Sequence, residues 1–155
     1  VRPVPGQETE VFDFSTFAPY WSTEAGFIST LEMKNLRVDE PLTVTPVLYP
    51  LGGRQTELDP ITLDPSETRV LNINEALAAR GETATVGAAE LRYRHTTEGV
   101  FGAHLTVLNR AQSLISVFSF QAPQPTRKLE GVWWFYDSEA DGAWPCRTRA
   151  PSPSR

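Results

Sequence analysis

The chain is 155 residues long, enough for one domain with a proper core plus appendages. Its 40% apolar and 21% charged residues are globular material, and a net charge of -5 argues against a phosphate-neutralising nucleic-acid surface. No apolar run approaches the ~20 residues of a helix that crosses a bilayer, and the single Cys146 excludes an internal disulfide framework or a thiolate metal cluster.

Residues 1–9 are rich in proline and polar groups and read as an extended N-terminal arm. The opening Val1-Arg-Pro-Val-Pro-Gly6 has no signal-peptide core. From Val11 the pattern alternates and is β-branched, broken every eight to twelve residues by Gly, Pro or Asn. Such spacing predicts a sandwich or barrel. In the first strong strand Phe27, Leu31 and Met33 share one face, with Ile28, Thr30, Glu32 and Lys34 on the other. Leu42–Tyr49 is a second strand, which Pro46 demotes to an edge or bulge position because proline has no N–H for a ladder. Leu51-Gly-Gly-Arg54 reads as a hairpin turn.

Strands at 61–63 and 68–73 flank a turn at Asp64-Pro-Ser-Glu67. Asn74–Gly81 is the sole helical candidate, with Asn74 as N-cap, Glu75 in the first turn and Gly81 past the end. Strands follow at 84–95, 100–109 and 113–121. A hairpin is expected to pair Leu91 with Val107 and Tyr93 with Leu105, since this register gathers the apolar side chains. Ala122–Lys128 contains the Pro-rich linker, taken as 123–128. The sum is an all-β domain over residues 10–122, an Ig-like antiparallel β-sandwich of seven to eight strands with one short helix.

Two stretches echo each other. Phe17-Ala-Pro-Tyr-Trp-Ser-Thr-Glu-Ala-Gly26 returns as Trp133-Trp-Phe-Tyr-Asp-Ser-Glu-Ala-Asp-Gly142. The return suggests a repeat architecture, with residues 129–142 as the first strand of an incomplete second copy. Residues 143–155 lose all periodicity and read as a disordered tail. A shifted frame through GC-rich codons for that tail would continue the repeat, which predicts a frameshifted remnant.

The aromatic opening Tyr20-Trp21, the strand end Leu31-Glu-Met-Lys-Asn35, Leu42–Leu48 and Leu63–Val70 give a layout that resembles the bacterial Ig-like and CARDB-like modules repeated in secreted and surface proteins. The resemblance covers residues 17–121. It implies an extracellular, cell-surface or periplasmic location, and it brings no catalytic residue.

Chemistry is sparse along the chain. No G-x-S-x-G elbow is present, and the carboxylates show no spacing that forces two to face each other. In the hairpin register His95 and His104 point to opposite faces and cannot share an ion. A two-residue loop would reunite them. Neither a catalytic residue, a metal ligand nor a cofactor is assigned. Aromatics supply the candidate ligand-binding residues: Tyr20, Trp21, Trp133, Trp134 and Tyr136. Exposed, they would stack on sugar rings; buried, they would be core. Leu129–Tyr136, with high β-propensity, would pair with a sheet edge of its own or of another molecule.

The expected function is a non-catalytic module for adhesion, assembly or spacing. The alternatives are a carbohydrate-binding module, and a small hydrolase or metal-dependent enzyme using His95 or His104. Expected partners are polysaccharide or another protein by strand addition, with no nucleic acid and no membrane span, the chain being a monomer or weak homo-oligomer.

Overall fold

The computed structural model describes residues 10–122. The arm at 1–9, the linker at 123–128, the second-copy strand at 129–142 and the tail at 143–155 lie outside the described residues. So do Trp133, Trp134, Tyr136 and Cys146.

Nine strands and one helix follow in chain order: β1 (Phe12–Ser22), β2 (Phe27–Asn35), β3 (Leu42–Pro50), β4 (Thr56–Glu57), β5 (Ile61–Leu63), β6 (Thr68–Asn72), α1 (Ile73–Ala79), β7 (Val86–His95), β8 (Phe101–Asn109) and β9 (Leu114–Ser119). One sheet has the order β1-β7-β3-β4, with β5 also on β3; the other runs β6-β2-β8-β9. Every pairing is antiparallel. The domain is an all-β sandwich with one short helix. The extra strand relative to the sequence reading is β4, whose two residues pair with Val47 and Leu48 across the Leu51-Gly-Gly turn.

Alternation builds the core. In β2 the buried Ser29, Leu31, Met33 and Asn35 interleave with partly or fully exposed Ile28, Thr30, Glu32 and Lys34. Leu31, Met33, Leu105 and Val107 of one sheet meet Val44, Leu48, Ala89 and Leu91 of the other in a single apolar cluster.

The expected hairpin between residues 91 and 107 does not form. β7 pairs with β1 and β3, whereas β8 pairs with β2 and β9, so the two strands lie in different sheets. Leu91 and Tyr93 therefore share the core with Leu105 and Val107 as members of facing sheets, not as ladder neighbours. Apolar matching could not tell these cases apart, because both bury the same side chains.

Of the edge or bulge position expected for Pro46, the edge is not found, but the register on one side of β3 slips by one residue between Val47–Glu57 and Val44–Ile61. β3 has neighbours on both sides, with Pro46 opposite Leu91 of β7. The Pro46 carbonyl accepts from Leu58 N–H at 2.9 Å, so its nitrogen faces the same side. That side is the break between β4 and β5, where no ladder bond is required of it.

The helix is capped two residues earlier than its sequence signature. Asn72 is the N-cap, accepting from Glu75 N–H at 3.3 Å. At the other end Gly81, at φ +67°, closes the helix: its N–H reaches Ala78 O, and Glu82 N–H reaches Leu77 O.

Candidate interaction face

Of the aromatic candidates within the described residues, Trp21 belongs to the interior. It is fully buried, and its indole Nε1 donates to Ala88 O at 2.8 Å. A ring held this way has no face to offer a sugar. The expectation that it lines a stacking platform is corrected: packing against the bare Cα of Gly87 takes the whole indole inside. Tyr20 sits beside the β1 bulge, half-buried, its ring edge-on to Phe118 at 6.1 Å between centroids. It closes the side of the sandwich between β1 and β9.

Past Trp21, the Ser-Thr-Glu-Ala-Gly loop is a structural corner. Ser22 N–H donates to Ser29 Oγ at 2.9 Å, and that hydroxyl donates back to Ser22 O at 2.6 Å. Phe27 N–H returns to Glu24 O at 2.8 Å, with Gly26 at φ +88° completing the turn. Asn74 then ties the corner to the helix: it accepts from Ser29 N–H and donates to Phe27 O, both at 2.9 Å.

The two histidines are far apart in role. His95, at the end of β7, accepts from Thr97 N–H on Nδ1 at 3.0 Å and places Nε2 2.8 Å from Glu40 Oε1. With Nδ1 accepting, Nε2 is the donor. This contact pins the β2–β3 loop to the end of β7. His104 lies on the outer face of the other sheet, 3.7 Å from Glu32. The side chains do not converge. No group of three or more His, Cys, Asp or Glu among the described residues could hold a metal ion.

A buried polar cluster occupies the outer face of the first sheet. Glu90 is buried and accepts from the Tyr49 hydroxyl; Arg92 donates to Tyr49 Oη at 2.7 Å and to Glu90 Oε2 at 2.8 Å. The hydrogen bond to Glu90 raises the pKa of the Arg92 guanidinium above its ordinary value. Arg92 also reaches Glu57 of β4 at 3.5 Å. Side chains from β3, β4 and β7 are thereby clamped together, with both ends of the clamp charged.

The outer face of the second sheet has the opposite character. Ladder register sets Ile28, Leu108 and Ile115 in one row, Thr30, Thr106 and Val117 in the next, and Glu32, His104 and Ser119 in a third. Ile115 is 66% exposed and Val117 60%, while the core-facing Leu105 and Val107 of neighbouring β8 are buried. A shallow depression lined by Glu32, Lys34, Leu36, Gly102, His104 and Ser119 takes in the third row. An apolar strip with a charged margin has the layout of an interaction patch.

No known protein-family profile matches the chain, and no curated protein matches its sequence. Among solved structures, the fold is similar to the crystal structure of Thermotoga maritima 1070. The TM-score is 0.55 at 9% identity, covering 70% of this chain and 92% of that one. Similarity at that identity concerns the fold alone.

Nothing in the sequence singled out the exposed strip, because Leu114-Ile-Ser-Val-Phe-Ser119 reads as an ordinary strand. Only the sheet order shows that it lies at an edge among the described residues.

Proposed function

We propose that this domain is a non-catalytic β-sandwich module that works by contact, in adhesion, assembly or spacing. The observation that carries the reading is the apolar outer face formed by β2, β8 and β9, exposed at Ile28, Ile115 and Val117. The chemistry-bearing side chains support it as well. His95, Glu40, Glu90, Tyr49 and Arg92 are each engaged in contacts that join strands or loops. A domain whose charged groups hold its own frame, and whose outer face exposes an apolar row with a polar margin, is built to bind. The likeness to bacterial Ig-like and CARDB-like modules supports a place in a secreted or surface protein, where tandem sandwiches act as spacers and docking units.

Two measurements test this. Retention of the full chain on a phenyl matrix should fall with Ile115→Lys while the far-UV circular dichroism stays unchanged. Panels of ester, phosphoester and glycoside substrates should show no turnover sensitive to Glu32→Ala or His104→Ala. Retention unaffected by Ile115→Lys removes the face; turnover lost with either alanine variant replaces the reading with an enzyme.

A further inference from the structure

Sheet edges invite pairing, and natural sandwiches protect them with charge, proline, bulges or brevity. Most edges of this domain are so protected. β1 carries Asp13, Pro19 and a bulge between Ala18 and Trp21, and Phe17 is already bridged to Gln121. β4 and β5 have two and three residues. β6 is five residues long, includes Arg69 and runs directly into α1.

Within 114–119 β9 has none of these devices; the bridge to Phe17 takes up the outward groups of Gln121, two residues past its end. Leu114-Ile-Ser-Val-Phe-Ser119 contains no charge, proline or glycine, and pairs within its sheet only with β8 among the described residues. Its outward backbone groups can be identified. Phe120 N–H points to Ala103 O of β8, so residues of the same parity (114, 116 and 118) face β8. Ile115, Val117 and Ser119 therefore turn their N–H and C=O groups away from the sheet.

We infer that β9 is a self-association edge, pairing antiparallel with β9 of a second copy about a two-fold axis at Ser116. This names the partner class for the contact module proposed above and rests on that reading. The register follows from face parity. A two-fold axis normal to the sheet keeps outer faces together, so residues must pair with others of like parity. Centring on Ser116 sets Ile115 opposite the partner's Val117 and Val117 opposite the partner's Ile115. Both have outward-turned backbone groups, so each pair exchanges both of its hydrogen bonds. Their side chains form β-branched cross-strand pairs on the outer face, the combination that favours sheets. On the core side Leu114 meets the partner's Phe118, and Ser116 meets its own copy across the axis.

The absence of charge is what selects a second copy. In a two-fold seam every side chain faces a copy of its own short stretch, so any charge would be set near its like. A segment free of charge escapes this; a dissimilar charged partner would gain nothing here from complementarity. The apolar rows of Ile28, Leu108 and Ile115 would then run on across the axis into the partner's rows.

The test uses the full chain with Cys146→Ser to remove the other thiol. Ser116→Cys should air-oxidise to a covalent dimer on non-reducing gels, while Thr30→Cys, on the central strand of the same sheet, should stay monomeric. Light scattering of the parent chain should show a concentration-dependent dimer. Val117→Lys should weaken it by at least about tenfold, with circular dichroism unchanged. Failure of Ser116→Cys to cross-link beyond Thr30→Cys overturns the proposal, as does a dimer that survives Val117→Lys. That second outcome would transfer the contact to another segment such as 129–136. A strictly monomeric chain also overturns self-pairing, yet leaves the contact reading standing if Ile115→Lys still lowers phenyl retention.

Discussion

At the scale of single residues, the glycine with the least room for a side chain is Gly87, against Trp21. A Cβ on Gly87 would lie 2.3 Å from the Tyr49 carbonyl oxygen and 2.7 Å from Trp21 Cζ2. Neither neighbour has room to yield. The carbonyl belongs to the β3 backbone, and the indole is fixed by its bond to Ala88 O. Gly87→Ala should therefore destabilise by about 3 kcal/mol or more, at the upper end of what overpacking costs. Chemical denaturation followed by Trp fluorescence would measure it. Gly53→Ala is the control, because a Cβ there meets the Pro50 side chain at 3.0 Å rather than a backbone carbonyl. A loss no larger at 87 than at 53 would show that the Trp21 pocket relaxes freely.

Among the elements, α1 shows how two asparagines two residues apart take different work. Asn72 caps the helix from outside, in an exposed contact. Asn74 bridges backbone groups of β2, where its loss leaves Ser29 N–H and Phe27 O without that partner. Asn72→Ala should cost about 1 kcal/mol, the ordinary worth of an N-cap. Asn74→Ala should cost about 2–3 kcal/mol, because partly buried groups lose their bonds. Thermal denaturation of both variants ranks them, and an equal loss would mean that water replaces Asn74 without penalty. Asn74 looked like the cap from sequence because an acidic residue follows it, but a cap and a lateral bridge leave the same trace in the chain. Strand existence and faces were legible, since Leu31 and Met33 alternate cleanly with Glu32 and Lys34. The partner of each strand was not. β7 and β8 each offer a proper apolar face, and no local signal says that the loop between them crosses to the other sheet. Of the aromatic echo, the first stretch ends in the corner at Ser22–Phe27, and its return at 133–142 lies outside the described residues. That Trp21 is cement rather than a binding surface required knowing how closely Gly87 approaches it.

For the whole molecule, the sheet order predicts a graded resistance to opening. β7 and β3 are interior to one sheet and β2 and β8 to the other, and all four contribute to the shared core. Their amides should be the last to exchange with deuterium, close to global unfolding. β9 divides into two classes within one strand. Amides of 116, 118 and 120, turned toward β8, should exchange slowly, whereas those of Ile115, Val117 and Ser119 should exchange fast in dilute protein. Raising the protein concentration distinguishes the uses of this edge. If β9 pairs with its copy, the 115 and 117 amides slow as the dimer fills while the interior strands do not change. If the apolar face engages by side chains alone, the alternation along β9 stays the same at every concentration. Residue-resolved exchange across a concentration series reads both outcomes, and uniform protection along β9 in dilute protein would show that its outer edge is already covered within one chain.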